Sequence, residues 1–204
     1  ESSADDGETR AELHYIQARI ARELGDPQAE IEHMSEALAH GENEQLRAYA
    51  FFFRGLAYYR QGGTADAQGD SLAGRRFFES ALEDLDQLLA SSPAAQVRGV
   101  AYRTRGVALT RLDRSAEAVK TYEILIDSAP NPVERAEFKL MLMELYYDQD
   151  QLDETETVAR AIIEEEGVGR KIVERAYFVL VSLLLEEERY AESLNMIGES
   201  MNVI

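Results

Sequence analysis

The sequence predicts an all-α chain built from a repeated pair of helices, and three observations carry that reading. Ala, Leu, Glu, Arg and Gln dominate from about Ala11 onward, with apolar residues recurring at spacings of three and four. Turn-forming residues interrupt this pattern at Gly25-Asp26-Pro27, Gly41-Glu42-Asn43, Gly62-Gly63, Ser91-Ser92-Pro93, Asp113-Arg114, Pro130-Asn131-Pro132, Asp148-Gln149-Asp150, Gly167-Val168-Gly169 and Glu187-Glu188-Arg189. Each break bounds a helix, which gives ten helices and no strand. The breaks are also periodic. The segments Ala18-Arg19-Ile20-Ala21, Gly55-Leu56-Ala57-Tyr58, Gly106-Val107-Ala108-Leu109, Met143-Glu144-Leu145-Tyr146 and Val181-Ser182-Leu183-Leu184 start 37, 51, 37 and 38 residues apart.

Taken in order, residues 1–9 are polar and read as a frayed N-terminus. Residues 10–204 form a single repeat domain, with units at about 11–44, 48–95, 99–132, 136–169 and 174–204. The long interval is 37 plus 14, and its excess lies in a Gly- and Asp-bearing insertion near 62–74. A lid, a partner contact or a tolerated excursion all fit such an insertion. Asp70-Ser71 caps a second helix of unusual length, running to about Ala90. A lone amphipathic helix pair cannot bury its apolar face, so the pairs stack, each touching its neighbours.

The third unit carries Gly106, Asp113-Arg114-Ser115, Ala118, Tyr122, Leu125 and Pro130, and the second carries Gly55, Tyr58, Ala81, Leu85, Leu88 and Pro93. These residues resemble the tetratricopeptide repeat over nearly the whole chain, from about Ala11 to Ile204. The resemblance implies that Gly106 and Ala118 are the small residues where paired helices approach. It makes Asp113-Arg114-Ser115 the tight turn and Pro130 the closing residue. It also implies a right-handed α–α superhelix of about ten antiparallel helices, whose first helices line a concave face, and a bacterial source is expected. The other units depart from the pattern: Glu30 stands at a small-residue position, the fourth unit has Met143, Thr155 and Gly167, and the fifth has Val181 and Ser193. No Trp occurs, so the first-helix aromatic is represented by Phe51, Tyr102 and Tyr177.

Composition excludes several functions. The formal charge is −18, from 39 acidic against 21 basic residues, and such a field repels phosphate backbones. Nucleic acid is therefore not an expected partner, whereas a basic protein is compatible. Most of these acids read as solvated helix faces. The absence of cysteine removes disulfides, thiolate metal sites and cysteine nucleophiles, and suits cytoplasm and periplasm equally. The longest apolar run, Phe178 to Leu185, contains Ser182 and is too short to span a bilayer, so no membrane insertion is expected. The chain begins at Glu1 without Met, as a processed or excised piece does.

The candidate site is the inward stripe of the first helices, which the resemblance places on the concave face. The partner-binding set is Tyr49, Phe52, Leu56, Tyr59, Arg103, Val107, Tyr147, Arg175 and Phe178. Tyr, Phe and Arg dominate binding hot spots. Phe51-Phe52-Phe53 point in three directions on one helix, so one core face does not easily take all three. The function expected is a non-enzymatic scaffold that accepts a partner peptide or helix in an apolar, arginine-edged groove. The plain alternative is that the stripe is ordinary core. Two further readings are self-association through the C-terminal unit, which ends in the apolar Val203-Ile204, and a regulatory segment of a larger protein. A chaperone-tail clamp is disfavoured because the Lys and Asn set of such clamps is missing. No catalytic residue, cofactor or metal is expected: His33 and His40 lie two turns apart, and no nucleophile motif or phosphate-cradling loop occurs.

Overall fold

In the computed structural model, which describes residues 2–203, those residues form ten helices and no strand. They are α1 (Ser2–Glu23), α2 (Pro27–His40), α3 (Glu44–Ala67), α4 (Ser71–Ala90), α5 (Ala95–Arg111), α6 (Ser115–Ser128), α7 (Pro132–Tyr147), α8 (Leu152–Ile163), α9 (Arg170–Glu186) and α10 (Tyr190–Val203). The chain divides into two compact units, Glu1–Ala118 and Val119–Ile204. Within the first, α1 to α5 pack serially, each against the next; within the second, α7 to α10 do the same. The fold of these residues is all-α, as the sequence predicts.

Five turns share one design. Each holds a residue with positive φ: Gly25 at 72°, Gly69 at 83°, Asp113 at 59°, Asp150 at 56° and Glu188 at 58°. The next residue's N–H reaches back across the turn to a helix carbonyl five residues earlier. Asp26 donates to Ala21, Asp70 to Ala65, Arg114 to Leu109, Gln151 to Tyr146 and Arg189 to Leu184, at 2.8–3.0 Å. This satisfies a carbonyl that the helix end would otherwise leave unpaired. The following residue starts the next helix. In the first two turns the donor also serves as N-cap, with the Asp26 and Asp70 carboxylates accepting from Ala29 and Ala73 N–H at 3.0 Å.

So abrupt a reversal brings the paired helices close together, and one position in each second helix takes the contact. Glu30, Ala81, Ala118, Thr155 and Ser193 are all 0 or 1% exposed. Four of them are the fourth residue of their helix. Ala81 comes seven residues later, two turns further along, because α3 and α4 are both extended: α3 has 24 residues against 17 in α5, and α4 has 20 against 14 in α6.

The extra residues are therefore helix and not a loop. The break expected at Gly62-Gly63 is absent; α3 runs on to Ala67, and the reversal falls at Gln68-Gly69-Asp70. The reason is packing. A Cβ on Gly62 would lie 2.7 Å from the Phe78 ring, and one on Gly74 would collide with the Asp66 carboxyl. These glycines let the added turns lie flush, with Ala65 and Phe78 buried between them. At the other end of the unit, α1 begins at Ser2, earlier than the helix start expected near residue 10. The Glu8 carboxylate accepts from Glu42 N–H at 3.0 Å, ahead of α3.

The first unit has core clusters around Ala18, Met34 and Ala50 and around Phe52, Leu85, Leu88 and Ala101. The second centres on Met143, Ile162, Leu180, Leu183 and Leu184. No helix among the described residues is long and apolar enough to cross a membrane.

Glu188 occupies the left-handed position that suits a side chain least, since Asp tolerates it better than Glu. Glu188→Gly is expected to raise stability by about 0.5–1 kcal/mol, read as a higher midpoint in chemical denaturation. A lower midpoint would show that the turn is not held in this conformation.

Candidate functional site

Helices that come first in their pairs touch one another within each unit: α1 with α3, α3 with α5, and α7 with α9. In the second unit this contact opens into a pocket of about 270 Å³. Glu144 and Tyr147 of α7 and Asp148 just after it line the pocket, facing Arg175, Phe178, Val179 and Ser182 of α9. Phe178 is 62% exposed, although Val179 and Leu180 beside it are core residues. The Arg175 guanidinium lies 5.6 Å from the centre of the Phe178 ring and donates to Glu144 at 3.1 Å. The Tyr147 hydroxyl donates to Glu186 at 2.8 Å, and this bond, with burial and nearby acids, raises its pKa. Three residues of the expected set, Tyr147, Arg175 and Phe178, thus converge on one opening.

The first unit presents a different surface. Tyr49 is 41% exposed and packs with Tyr15 and Phe53, with ring centroids 6.4–6.5 Å apart. The Arg22 guanidinium sits 4.1 Å over the Phe53 ring. Burial raises the Tyr15 pKa, with Arg19 and Arg22 acting in the other direction. Tyr49 also edges a cleft of about 620 Å³, lined with Arg47, Phe51, Leu88, Pro93 and Val97.

Phe52 was expected on the binding surface but belongs to the core. It is 9% exposed and packs with Leu85, Leu88 and Ala101, because α5 covers that side of α3. Phe51 and Phe53 are partly buried against the same cluster, as is Leu56. Tyr59 is half-buried, with its ring 5.9 Å from that of Phe78. Arg103 and Val107 are half-buried on α5. The residues not in the expected set are Tyr15, Arg22 and Phe53. Tyr15 stands 37 residues before Phe52, at the equivalent point of the period, and that was the available signal.

Buried charges tie the helices together beneath these surfaces. Arg54 on α3 makes two bonds to Asp84 on α4, at 2.7 and 2.8 Å, and a third to the Ser35 hydroxyl on α2 at 3.0 Å. Burial pushes the Asp84 carboxyl above its ordinary pKa, while Arg54 pulls against it. Glu30, fully buried, meets Arg60 at 2.5 Å. Burial also raises the Glu30 pKa, with Arg60 and Arg22 opposing. In the second unit burial works to raise Glu165, but Lys139 at 2.7 Å and Arg135 at 2.9 Å outweigh it and hold its pKa below the ordinary value. Glu156 is lowered too, chiefly by its hydrogen bond from Arg189.

The three histidines come together in a way that their spacing on α2 does not suggest. His14 on α1 reaches both others: its Nδ1 is 3.4 Å from that of His33, and its ring stacks 6.2 Å from that of His40. Among the described residues, no group of three His, Cys, Asp or Glu is placed to hold a metal ion.

No protein-family profile matches the chain, and no curated protein does. Solved structures do resemble it. MamA from Desulfovibrio magneticus RS-1, residue 41 to its end, superposes with a TM-score of 0.64 at 15% identity, over 95% of this chain and 94% of that one. A MamA RS-1 double mutant gives 0.65 at the same identity and coverage. BtubC from P. vanneervenii gives 0.54 at 15% identity, over 97% and 90% of the two chains. At such low identity these likenesses concern the fold.

The contrast between Phe52 and Phe178 is measurable. Phe52→Ala is expected to cost about 3–4 kcal/mol of stability, and Phe178→Ala less than about 1 kcal/mol. Urea titrations of the two variants check this. Equal losses would contradict the separation of core from surface.

Proposed function

We propose that this chain is a non-catalytic interaction scaffold that holds a segment of a partner protein, peptide or helix, in an apolar groove on its first-helix faces. One observation carries the reading. Phe178, a large aromatic ring on a rigid helix, stands mostly exposed beside Tyr147 and Arg175 at the mouth of a pocket. A fixed aromatic anchor with an arginine beside it is the usual composition of a binding hot spot. The aromatic patch of Tyr15, Tyr49 and Phe53 gives the first unit a comparable surface. Tyr59, Arg103 and Val107 belong to the same proposed set, with Phe52 and Leu56 as the floor beneath it.

The chemistry around the pocket selects the partner. Glu144, Asp148 and Glu186 surround it, and Arg175 is already engaged by Glu144. An apolar side chain flanked by Lys or Arg satisfies both the pocket and its rim. The net charge of −18 adds long-range attraction for such a segment.

Peptide display against the immobilised protein tests this reading. Selected peptides are expected to carry an aromatic or aliphatic residue next to basic ones, and to lose at least about tenfold in affinity on Phe178→Ser, a hot-spot-sized effect. Peptides without that pattern, or with unchanged affinity for the variant, would refute the proposal.

A further inference from the structure

Glu30 puts a charge where the other second helices carry Ala, Thr or Ser, and the partner-binding surfaces make no use of it. The side chain is 1% exposed. Its Oε2 accepts from Arg60, while among the described residues no donor reaches Oε1, which is buried as well. A buried oxygen without a donor is unfavourable, and native chains keep few of them. Ala81 and Ala118 fill the equivalent place in α4 and α6, so close packing of the helix pair does not account for a carboxylate here.

The same carboxylate lies in the floor of a pocket of about 460 Å³. Arg22 of α1, Asp26 of the first turn, and Arg60, Gln61 and Thr64 of α3 line its walls. Thr64 belongs to the stretch in which α3 runs on past Gly62-Gly63. Arg22 is half-buried and stacked on the Phe53 ring, and among the described residues it makes no ion pair or hydrogen bond. Asp26 is committed as the cap of α2, its Oδ1 accepting from Ala29 N–H. The pocket therefore joins an acceptor that lacks a donor to a guanidinium that lacks an acceptor. Two arginines and two carboxylates line it, so its charge favours neither a bare cation nor a bare anion.

We infer that this pocket binds a free α-amino acid, with the ligand's ammonium on Glu30 and its carboxylate on Arg22. Such a zwitterion is neutral as a whole and answers both unmet groups at once. A guanidinium takes a carboxylate through two parallel N–H bonds. Arg60, with its side chain 47% exposed, has room to lean outward and open Oε1 to the ligand. Burial raises the Glu30 pKa against the pull of Arg60 and Arg22, and an ammonium beside it adds to that pull and favours the ionised form. A volume of about 460 Å³ falls in the ordinary range for small-molecule sites and leaves space for a side chain.

Backbone amide NMR of the full chain, titrated with each of the twenty L-α-amino acids up to about 10 mM, tests the inference. At least one is expected to shift the signals of Gly25, Gln61 and Thr64 saturably. Its N-acetyl and carboxamide forms, each lacking one charge, are expected to bind at least tenfold more weakly. Glu30→Gln and Arg22→Gln are each expected to weaken binding at least tenfold. Glu30→Ala is expected to abolish binding and keep the thermal midpoint, which separates a lost site from a lost fold. No saturable shift from any of the twenty overturns the inference. So does equal binding of the acetylated or amidated form, or binding indifferent to Glu30→Gln. The same shifts from acetate or phosphate alone would show an adventitious anion only and overturn it too. A large loss of thermal stability in Glu30→Ala would make Glu30 a structural group and have the same effect. None of these outcomes bears on the Phe178 pocket, which the peptide selection reads separately.

Discussion

A single backbone hydrogen bond recurs in five turns, and much of the rest follows from it. The N–H of Asp26, Asp70, Arg114, Gln151 or Arg189 crosses back to a carbonyl of the helix just ended, over a residue in the left-handed conformation. The chain thereby reverses within three or four residues. A reversal that tight leaves little room between the helices it joins, and the position meeting the contact must be small or fully satisfied. Ala81, Ala118, Thr155 and Ser193 meet that demand by size. Glu30 does not, and the structure answers with Arg60, which reaches its carboxylate from α3. Burial holds that carboxyl above its ordinary pKa even so, which marks the pairing as a repair of a misfit more than a source of stability.

The period was legible because its signals are local. Gly25, Asp113-Arg114 and Asp148-Gln149-Asp150 are turn formers in any context, and a count of residues between them yields the repeat. What lay between the turns was harder to read. Gly62-Gly63 looks like a break because glycine is a generic helix breaker, yet here Gly62 makes room for the ring of Phe78, sixteen residues away in the chain. Only a partner distant in sequence tells the two meanings of glycine apart. The added length takes the form of about two turns on each of two helices, which the turn signals of the sequence do not show.

The binding surface shows the same limit. Tyr15, Phe52 and Phe178 occupy equivalent points of the repeat, and the sequence treats Phe52 and Phe178 alike. Their burial depends on the next repeat. Ala101 and Val97 of α5 pack over the Phe52 cluster, whereas nothing in the described chain closes over Phe178. A stripe read from one helix predicts direction correctly and exposure poorly, because exposure belongs to the stack. The histidines repeat the point: the third member arrives from α1. What survives is an acidic array with aromatic surfaces, one of them a pocket with an arginine at its edge, consistent with binding a basic, apolar segment.

Since the five turn bonds organise both units, amide hydrogen exchange at the five donors tests the account most directly. The N–H groups of Asp26, Asp70, Arg114, Gln151 and Arg189 are predicted to exchange at least about 100-fold more slowly than in an unstructured peptide. Exchange of any of them at the unstructured rate would contradict the shared turn.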